Sequence, residues 1–196
     1  MFTGIIENTG SISEVISSGT NKIFWVDSPL FTELKPDQSL SHNGVCLTVE
    51  EIGDGKHRVT AIEETLRKTN LGDWIPGSMV NLERCMQLNG RLDGHIVQGH
   101  ADCTGTCLSV DAREGSWEYT FTFPKTFASL VIEKGSITVN GISLTIFNVE
   151  ADRFTVAIIP YTYNHTNMSH VKPGQLVNLE FDVVGKYVQR MLSLQS

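Results

Sequence analysis

The sequence predicts an all-β protein: two tandem six-stranded barrels related by internal duplication, followed by a short C-terminal helix. Three observations lead to this fold class. A segment of the first half recurs in the second half, each half contains short strand-like stretches separated by turn residues, and the last residues change to a helical period. With 196 residues, the chain has room for one large domain or for two domains of roughly 100 residues each.

The duplication is visible without any alignment to other proteins. NGVCLTV at Asn43–Val49 recurs as NGISLTI at Asn140–Ile146, an offset of 97 that persists without a gap to VNLE at Val80–Glu83 and Val177–Glu180. Upstream the offset is 95, because the second copy has gained two residues. Two copies make a pair of domains and not a solenoid.

Each copy consists of short predicted strands rich in Val, Ile, Thr and Phe, and Gly, Asp, Asn or Pro separate them. Gly53-Asp54-Gly55 is typical of a hairpin turn, and one short helix is predicted in each copy, over Glu64–Leu71 and Tyr161–Met168. Closure into a barrel removes the exposed edges of such a sheet. The predicted strands of the first copy are Phe2–Ile6, Ser11–Ile16, Lys22–Val26, Ser39–Val49, Arg58–Ile62 and Met79–Cys85.

The repeat also predicts the domain boundaries. We expect an N-terminal barrel over residues 1–88, a C-terminal barrel over residues 89–184 and a helix over residues 185–196, with the first boundary in a polar stretch that contains glycine. The apolar residues of the C-terminal segment fall on one side of a helical wheel. This apolar stripe must be buried against the barrels or against other subunits, so oligomerisation is plausible.

Charge and composition exclude several classes of partner. The net charge of −7 disfavours a phosphate backbone, so we expect no nucleic-acid partner. No apolar run approaches the roughly 18–20 residues of a transmembrane helix, and MFTGIIENTG lacks the features of a signal peptide, which predicts a cytoplasmic protein without a membrane partner. Four irregularly spaced cysteines do not resemble a disulfide framework.

The repeated motif holds the first candidate functional residues. Cys46 in the first copy corresponds to Ser143 in the second, and Thr48 and Thr145 follow two positions later. On a strand, each pair would point to the same face and could line a polar pocket. The alternative is that Cys46 is a small buried core residue.

A second cluster contains His95, His100, Cys103 and Cys107. Cys103 and Cys107 would lie about 13 Å apart on an extended strand, too far to share one zinc ion, so no metal is predicted. His100 is a candidate general acid and base because the ordinary pKa of histidine suits proton transfer near neutral pH, with a structural histidine as the alternative. The common nucleotide-binding fingerprints are absent from the sequence, which predicts no redox or nucleotide cofactor.

Several motifs together resemble the riboflavin synthases of the lumazine-binding family over nearly the whole chain. The resemblance rests on MFTGIIE, the repeated NGVCLTV and NGISLTI, ETLRKTNLG, GHIVQGHADCTG and VNLEFDVVGKYV. It implies two Greek-key barrels, no metal and no organic cofactor. It also implies a transferase in riboflavin biosynthesis that acts on two molecules of 6,7-dimethyl-8-ribityllumazine. One molecule gives a four-carbon unit to the other, and the products are riboflavin and 5-amino-6-ribitylamino-uracil.

The resemblance also implies site residues. His100 would move protons at the 7-methyl carbon of the substrate, and Cys46 and Ser143 would donate hydrogen bonds or activate water at C7. The other expected substrate-binding residues are Phe2, Gly4, Ile5, Thr48, Ile62, Thr65, Lys134, Thr145, Ile159, Thr162 and Asp182.

Assembly and rival functions follow from the same resemblance. Members of the family form their site between the N-terminal barrel of one subunit and the C-terminal barrel of its neighbour, which implies a homotrimer and leaves an association with lumazine synthase open. The same fold also serves lumazine- or flavin-binding proteins that act as optical antennae without catalysis. A purely structural two-barrel adaptor is a third and weaker hypothesis.

Overall fold

The computed structural model describes residues 1–195 and contains two closed antiparallel barrels and three α-helices. The strands of the N-terminal barrel are β1 (Asn8–Ser18), β2 (Asn21–Asp27), β3 (Ser39–His42), β4 (Val45–Gly53), β5 (Lys56–Ala61) and β6 (Met79–Arg84). Those of the C-terminal barrel are β7 (Cys103–Arg113), β8 (Ser116–Thr122), β9 (Ser136–Val139), β10 (Ile142–Phe147), β11 (Arg153–Ile158) and β12 (Leu176–Phe181). The helices are α1 (Glu63–Lys68), α2 (Pro160–His165) and α3 (Val183–Ser193).

Both barrels have the same topology. In each, the strands pair in the order first, second, fifth, fourth, third and sixth, and the sixth strand pairs again with the first. This is a Greek-key arrangement, and closure leaves no free edge. The predicted fold class is therefore confirmed. The predicted domain boundaries stay a prediction, and the first of them lies in the connection between β6 and β7.

One predicted strand of the first copy is wrong. Residues 2–6 have the composition of a strand, but Phe2 makes only a single bridge, to Val97. The segment does not join the sheet of its own barrel, because its backbone groups bond to residues 95–97, to the Ser143 amide and to the Glu83 carboxylate. Strand propensity identifies an extended segment and does not identify its partner.

Another predicted strand, Ser39–Val49, is in fact two strands. Asn43 and Gly44 have φ angles of 48° and 78° and form the tight turn between β3 and β4. Asn-Gly favours this type of two-residue hairpin because both positions need positive φ. The predicted hairpin before Lys56 is present, with φ angles of 51° and 82° at Asp54 and Gly55.

Helix bounds also differ from the prediction for local reasons. The first helix ends at Lys68, because Thr69 is extended and its hydroxyl accepts a hydrogen bond from the Leu71 amide to begin a separate 3-10 turn. The C-terminal helix begins at Val183 because the Asp182 carboxylate caps it. Ser196, the end of the predicted helical segment, lies outside the described residues. Within residues 1–195, every helix is too short or too polar to cross a membrane.

The two barrels meet at a pseudo-twofold axis marked by their Asn-Gly turns. A Cβ atom on Gly44 would lie 2.7 Å from the Gly141 amide nitrogen, so the two turns pack backbone against backbone. Asparagine side chains cross this contact: the Asn81 amide donates to the Asn140 carbonyl at 3.0 Å, and the Asn178 amide donates to the Asn43 carbonyl at 3.0 Å. These buried amides have partners in the opposite barrel, and they fix the relative orientation of the two barrels.

Candidate functional site

Two backbone segments, residues 2–5 and 97–100, cross between the barrels, and we call them the crossing segments. They pair with each other through two hydrogen bonds between Phe2 and Val97, of 2.7 and 3.1 Å. Beyond this pair each segment lies on one β-strand. The Gly4 carbonyl accepts from the Ser143 amide at 2.8 Å, and the Gly99 carbonyl accepts from the Cys46 amide at 2.8 Å. Each candidate site is therefore built from one barrel and one crossing segment.

Glycine is required where the crossing segments contact the strands. Gly4 and Gly99 have φ angles of 76° and 78°, which favour residues without a Cβ atom. A Cβ on Gly4 would lie 2.6 Å from the Cβ of Ser143, and one on Gly99 would lie 2.8 Å from the Cβ of Cys46. The aligned glycines of the two copies thus allow the closest approach at both sites.

The N-terminal site combines β4, α1 and the second crossing segment. Cys46, Thr65 and His100 line one cavity of about 320 Å³. Cys46 is half-buried and His100 is exposed. Burial raises the pKa of the Cys46 thiol, so this group is protonated at neutral pH and can donate a hydrogen bond.

Thr48 lies on the same outer face of β4 as Cys46, while Val45, Leu47 and Val49 point into the core. The prediction that Cys46 and Thr48 share a face is confirmed. Cys46 is therefore not a core residue of the barrel.

The C-terminal site contains a hydrogen-bonded pair that the sequence analysis did not predict. The Ser143 hydroxyl lies 2.7 Å from Nδ1 of His95, which is buried. Burial lowers the pKa of His95, and the negative charge of Asp182 opposes this change. His95 is thus uncharged at neutral pH and can exchange a proton with the serine hydroxyl.

The remaining residues of the C-terminal site lie along β9, β10 and α3. Thr145 pairs in register with Ser136, and Ser136 and Asp182 line a groove of about 390 Å³ between the barrel and α3. The ammonium group of Lys134 lies 5.3 Å from the ring centroid of Phe147.

The other predicted residues lie around the two sites. Phe2 is fully buried below Gly99, whose added Cβ would lie 2.7 Å from the Phe2 ring. Thr162 occupies the same position on α2 as Thr65 on α1, and both are half-buried. The side chains of Ile5, Ile62 and Ile159 are exposed by 46%, 55% and 58%.

Cys46 lines one of the four cavities that we describe, and Ser143 lines none of them. Among residues 1–195, no group of three or more His, Cys, Asp or Glu side chains has the arrangement of a metal site.

Comparison with known proteins agrees with this duplicated architecture. Residues 3–85 and 98–182 each match the lumazine binding domain. The chain is 41% identical to riboflavin synthase of Actinobacillus pleuropneumoniae over 194 residues, covering 98% of this chain and 90% of the relative. It is 42% identical to riboflavin synthase of Mycobacterium tuberculosis over 198 residues, covering 98% of both. The crystal structure of LumP complexed with riboflavin superimposes with a TM-score of 0.87 at 21% identity, covering 92% of this chain and 99% of that chain.

Two tandem lumazine binding domains define the class of the protein. Within that class the chain belongs to the riboflavin synthase family, because its identity to the curated members extends over nearly the full length of both chains. The likeness to LumP is below 25% identity and concerns the fold alone.

Proposed function

We propose that the chain catalyses the dismutation of two molecules of 6,7-dimethyl-8-ribityllumazine. A four-carbon unit passes from one molecule to the other, and the products are riboflavin and 5-amino-6-ribitylamino-uracil. The atoms of two substrate molecules equal those of the two products, so the reaction needs no oxidant or reductant. The observation that supports this best is the presence of two similar but unequal sites in one duplicated scaffold, since the reaction uses the same compound in two roles.

Each site residue has a proposed task. Cys46 and Ser143 donate hydrogen bonds or activate a water molecule at C7 of the substrate, and Thr48 and Thr145 bind the edge of the heterocycle. His100 moves protons at the 7-methyl carbon. Holding the two ring systems in a reactive orientation contributes several kcal/mol, on the order of 7–11 kcal/mol in well-aligned systems.

Further side chains around the two sites also bind the substrate. Ile62 and Ile159 contact the faces of the heterocycles, and Thr65 and Thr162 bind polar edges. Lys134 and Asp182 bind the ribityl chain or the ring of the molecule in the C-terminal site. Phe2, Gly4 and Ile5 shape the backbone of the first crossing segment around these ligands.

The alternative is a lumazine- or flavin-binding protein without catalysis. The fold of LumP, whose crystal structure contains riboflavin, favours this alternative. The higher identity to riboflavin synthases favours the enzyme, as do a thiol and an imidazole at the N-terminal site and a hydroxyl and an imidazole at the C-terminal site. An optical antenna needs one ligand and no proton transfer.

The first experiment distinguishes these two functions. Purified protein is treated with EDTA and incubated anaerobically with 6,7-dimethyl-8-ribityllumazine, and substrate loss and riboflavin formation are followed together. One riboflavin per two lumazines consumed supports the dismutation. Binding with a spectral change but without riboflavin would identify the binding protein instead.

The residue roles are tested in the same assay. We expect Cys46→Ser and His100→Gln each to lower turnover, with Glu50→Gln at a surface ion pair as the control that leaves it unchanged. If both site variants keep turnover within about threefold of the parent, the roles given to Cys46 and His100 are wrong.

The same proposal includes a homotrimer, because the reaction uses two substrate molecules together and α3 offers an apolar surface to a neighbouring chain. Apolar side chains of α3 are exposed, among them Val188, Met191 and Leu192, at 51%, 63% and 62%. Such a stripe favours burial against another subunit. Sedimentation of the parent and of Met191→Glu tests the trimer, and the same measurement with added lumazine synthase tests the association. We also propose a cytoplasmic location, which cell fractionation tests.

A further inference from the structure

We propose that Glu83 and Glu180 are positioning residues, each of which completes the ligand site of the opposite barrel. Glu180 belongs to β12 of the C-terminal barrel and fixes the crossing segment that lies on Cys46. Glu83 belongs to β6 of the N-terminal barrel and fixes the crossing segment that lies on Ser143. The expected effects on ligand binding and turnover rest on the proposed function, whereas the expected effect on the backbone does not.

Glu180 accepts three backbone hydrogen bonds from consecutive residues. Gln98 donates to one carboxylate oxygen at 2.7 Å, and Gly99 and His100 donate to the other at 2.9 and 3.0 Å. On its opposite side this segment accepts the hydrogen bond from the Cys46 amide. The backbone that presents His100 is therefore held between a carboxylate of one barrel and a strand of the other.

Glu83 makes the corresponding contacts in the first copy. One oxygen accepts from the Thr3 amide at 2.6 Å and from the Thr3 hydroxyl at 2.8 Å, and the other accepts from the Gly4 amide at 3.0 Å. Gly4 then accepts from the Ser143 amide. Glu83 and Glu180 are aligned in the repeat, and so are the segments that they bind. Each carboxylate therefore supports the site of the opposite barrel.

A buried carboxylate suits this task better than a neutral side chain. Both glutamates are only 2% exposed, and burial raises the pKa of each, while the backbone donors oppose that rise. Bonds to an ionised acceptor are roughly twice as strong as neutral ones. A glutamine would place its own N–H₂ group against backbone N–H groups, so at least one donor would lose its acceptor.

Hydrogen exchange of the ligand-free protein tests the backbone part of the proposal. In Glu180→Gln we expect the amides of residues 98–100 to exchange at least tenfold faster, with residues 3 and 4 unchanged. Glu83→Gln should give the reverse pattern. Unchanged protection of the targeted segment in either variant would overturn the proposal, whether or not the protein is an enzyme.

Riboflavin titration tests the crossed effect on the sites. Riboflavin is the probe because the proposed reaction does not consume it, and ligand-induced protection is read separately over residues 43–49 and 140–146. Glu180→Gln should raise the riboflavin dissociation constant at the first segment about tenfold and at the second less than twofold, and Glu83→Gln should do the opposite. Equal losses at both sites, or a loss confined to the barrel that carries the substitution, would contradict crossed positioning.

Turnover gives a third readout with matched controls. We expect each Gln variant to raise KM more than it lowers kcat, and Glu180→Asp and Glu83→Asp, which keep the charge, to recover part of the loss. If a Gln variant does not fold, its Asp variant is compared with the parent in the same exchange and titration experiments, where the absence of a site-specific change refutes the proposal. Glu50→Gln is the control for loss of a carboxylate at the surface.

Discussion

The interiors of the two barrels differ at one pair of aligned positions. In the N-terminal barrel, His42 on β3 and His57 on β5 are fully buried, and their Nε2 atoms lie 2.8 Å apart. In the C-terminal barrel the aligned positions hold Val139 and Phe154, which are also fully buried. One barrel therefore has a polar contact inside its core where the other has an apolar one.

The contacts of the histidine pair define where its protons lie. Nδ1 of His42 is 3.0 Å from the Leu40 carbonyl and must donate to it. Nε2 of His42 then accepts from Nε2 of His57, and Nδ1 of His57 has no partner among the described residues. An additional proton on that nitrogen would be a buried, unpaired charge.

Duplication preserved the strand order of the two barrels, whereas one buried pair of side chains differs between their cores. The same strand arrangement is therefore filled by a polar pair in one barrel and by apolar side chains in the other. The N-terminal barrel should consequently be the half of the molecule that responds to pH.

The largest expected effect is a selective loss of N-terminal stability in acid. Burial lowers the pKa of His57 to about 4, and burial together with the neighbouring His57 lowers that of His42 well below its usual 6.5. The unfolded state binds the protons, so the stability is fully present above pH 6.5 and is lost as the pH falls from there towards 4. His57 alone accounts for roughly 3 kcal/mol. Hydrogen exchange, corrected for intrinsic rates, should show β1–β6 opening in this range while β7–β12 stay protected.

Replacing the pair with its counterpart from the other barrel is the control. His42→Val with His57→Phe should remove the difference in acid sensitivity between the barrels. The buried carboxylates Glu83 and Glu180 also titrate, but each barrel contains one of them, so they cancel in the comparison. Burial also lowers the pKa of His95, but this residue precedes β7 and belongs to no strand of either barrel. Equal opening of both barrels in the parent would contradict the prediction.

Next in size is the effect of filling the close contact at either site. Gly99→Ala places a Cβ against Cys46 and Gly4→Ala places one against Ser143, so each should lower kcat/KM about a hundredfold, or about 2.7 kcal/mol. In each variant, the change in kcat is also compared with the change in KM. A different balance of the two changes in Gly99→Ala and Gly4→Ala would show that the two sites have different roles.

Gly19→Ala is a matched control for these variants. Gly19 has a φ of 61°, but an added Cβ would meet nothing within 4 Å. This substitution costs backbone strain without a steric contact and should leave kcat/KM within about twofold. A comparable loss in Gly19→Ala would show that strain alone explains the effect.

The comparison of the copies also shows how far sequence can predict this fold. The repeat of NGVCLTV, the strand composition and the Asn-Gly turns are local signals, and they define the barrels and their order. The crossing of residues 2–5 is not local. The amides of this segment donate to the Glu83 carboxylate and to the Val97 carbonyl. Strand propensity does not predict either partner.

Some site residues could have been found and others could not. The repeated VNLE motif places Glu83 and Glu180 at the same position of a buried strand, and an acidic residue in such a strand already indicates a polar partner. His95 and Ser143 are 48 positions apart in the sequence, and no local pattern joins them. That contact depends on tertiary packing alone.

A smaller effect tests whether the histidine and serine of the C-terminal site act as one unit. Ser143→Ala and His95→Gln should each lower kcat about tenfold, or about 1.4 kcal/mol, and the double variant should lose no more than either single variant. Cys46→Ala, at the other site, should instead combine additively with His95→Gln. Additive losses for the Ser143 and His95 pair would show that their 2.7 Å contact has no catalytic consequence.

The smallest effect concerns the ion pairs at the start of each barrel. The Lys186 ammonium lies 2.7 Å from Asp102, and Arg84 in the first copy lies 2.6 Å from Glu7. The side chains of the first pair are exposed by 25% and 19%, against 38% and 30% for the second.

Lys186→Met should therefore cost more than Arg84→Met, up to about 1 kcal/mol, because water screens a buried pair less. Melting in low salt and in 1 M salt checks this order, because salt screens exposed charges more than partly buried ones and should reduce the Arg84 contribution more than the Lys186 contribution. The reverse order would mean that α3 is held by its apolar contacts and that Lys186 contributes only solubility.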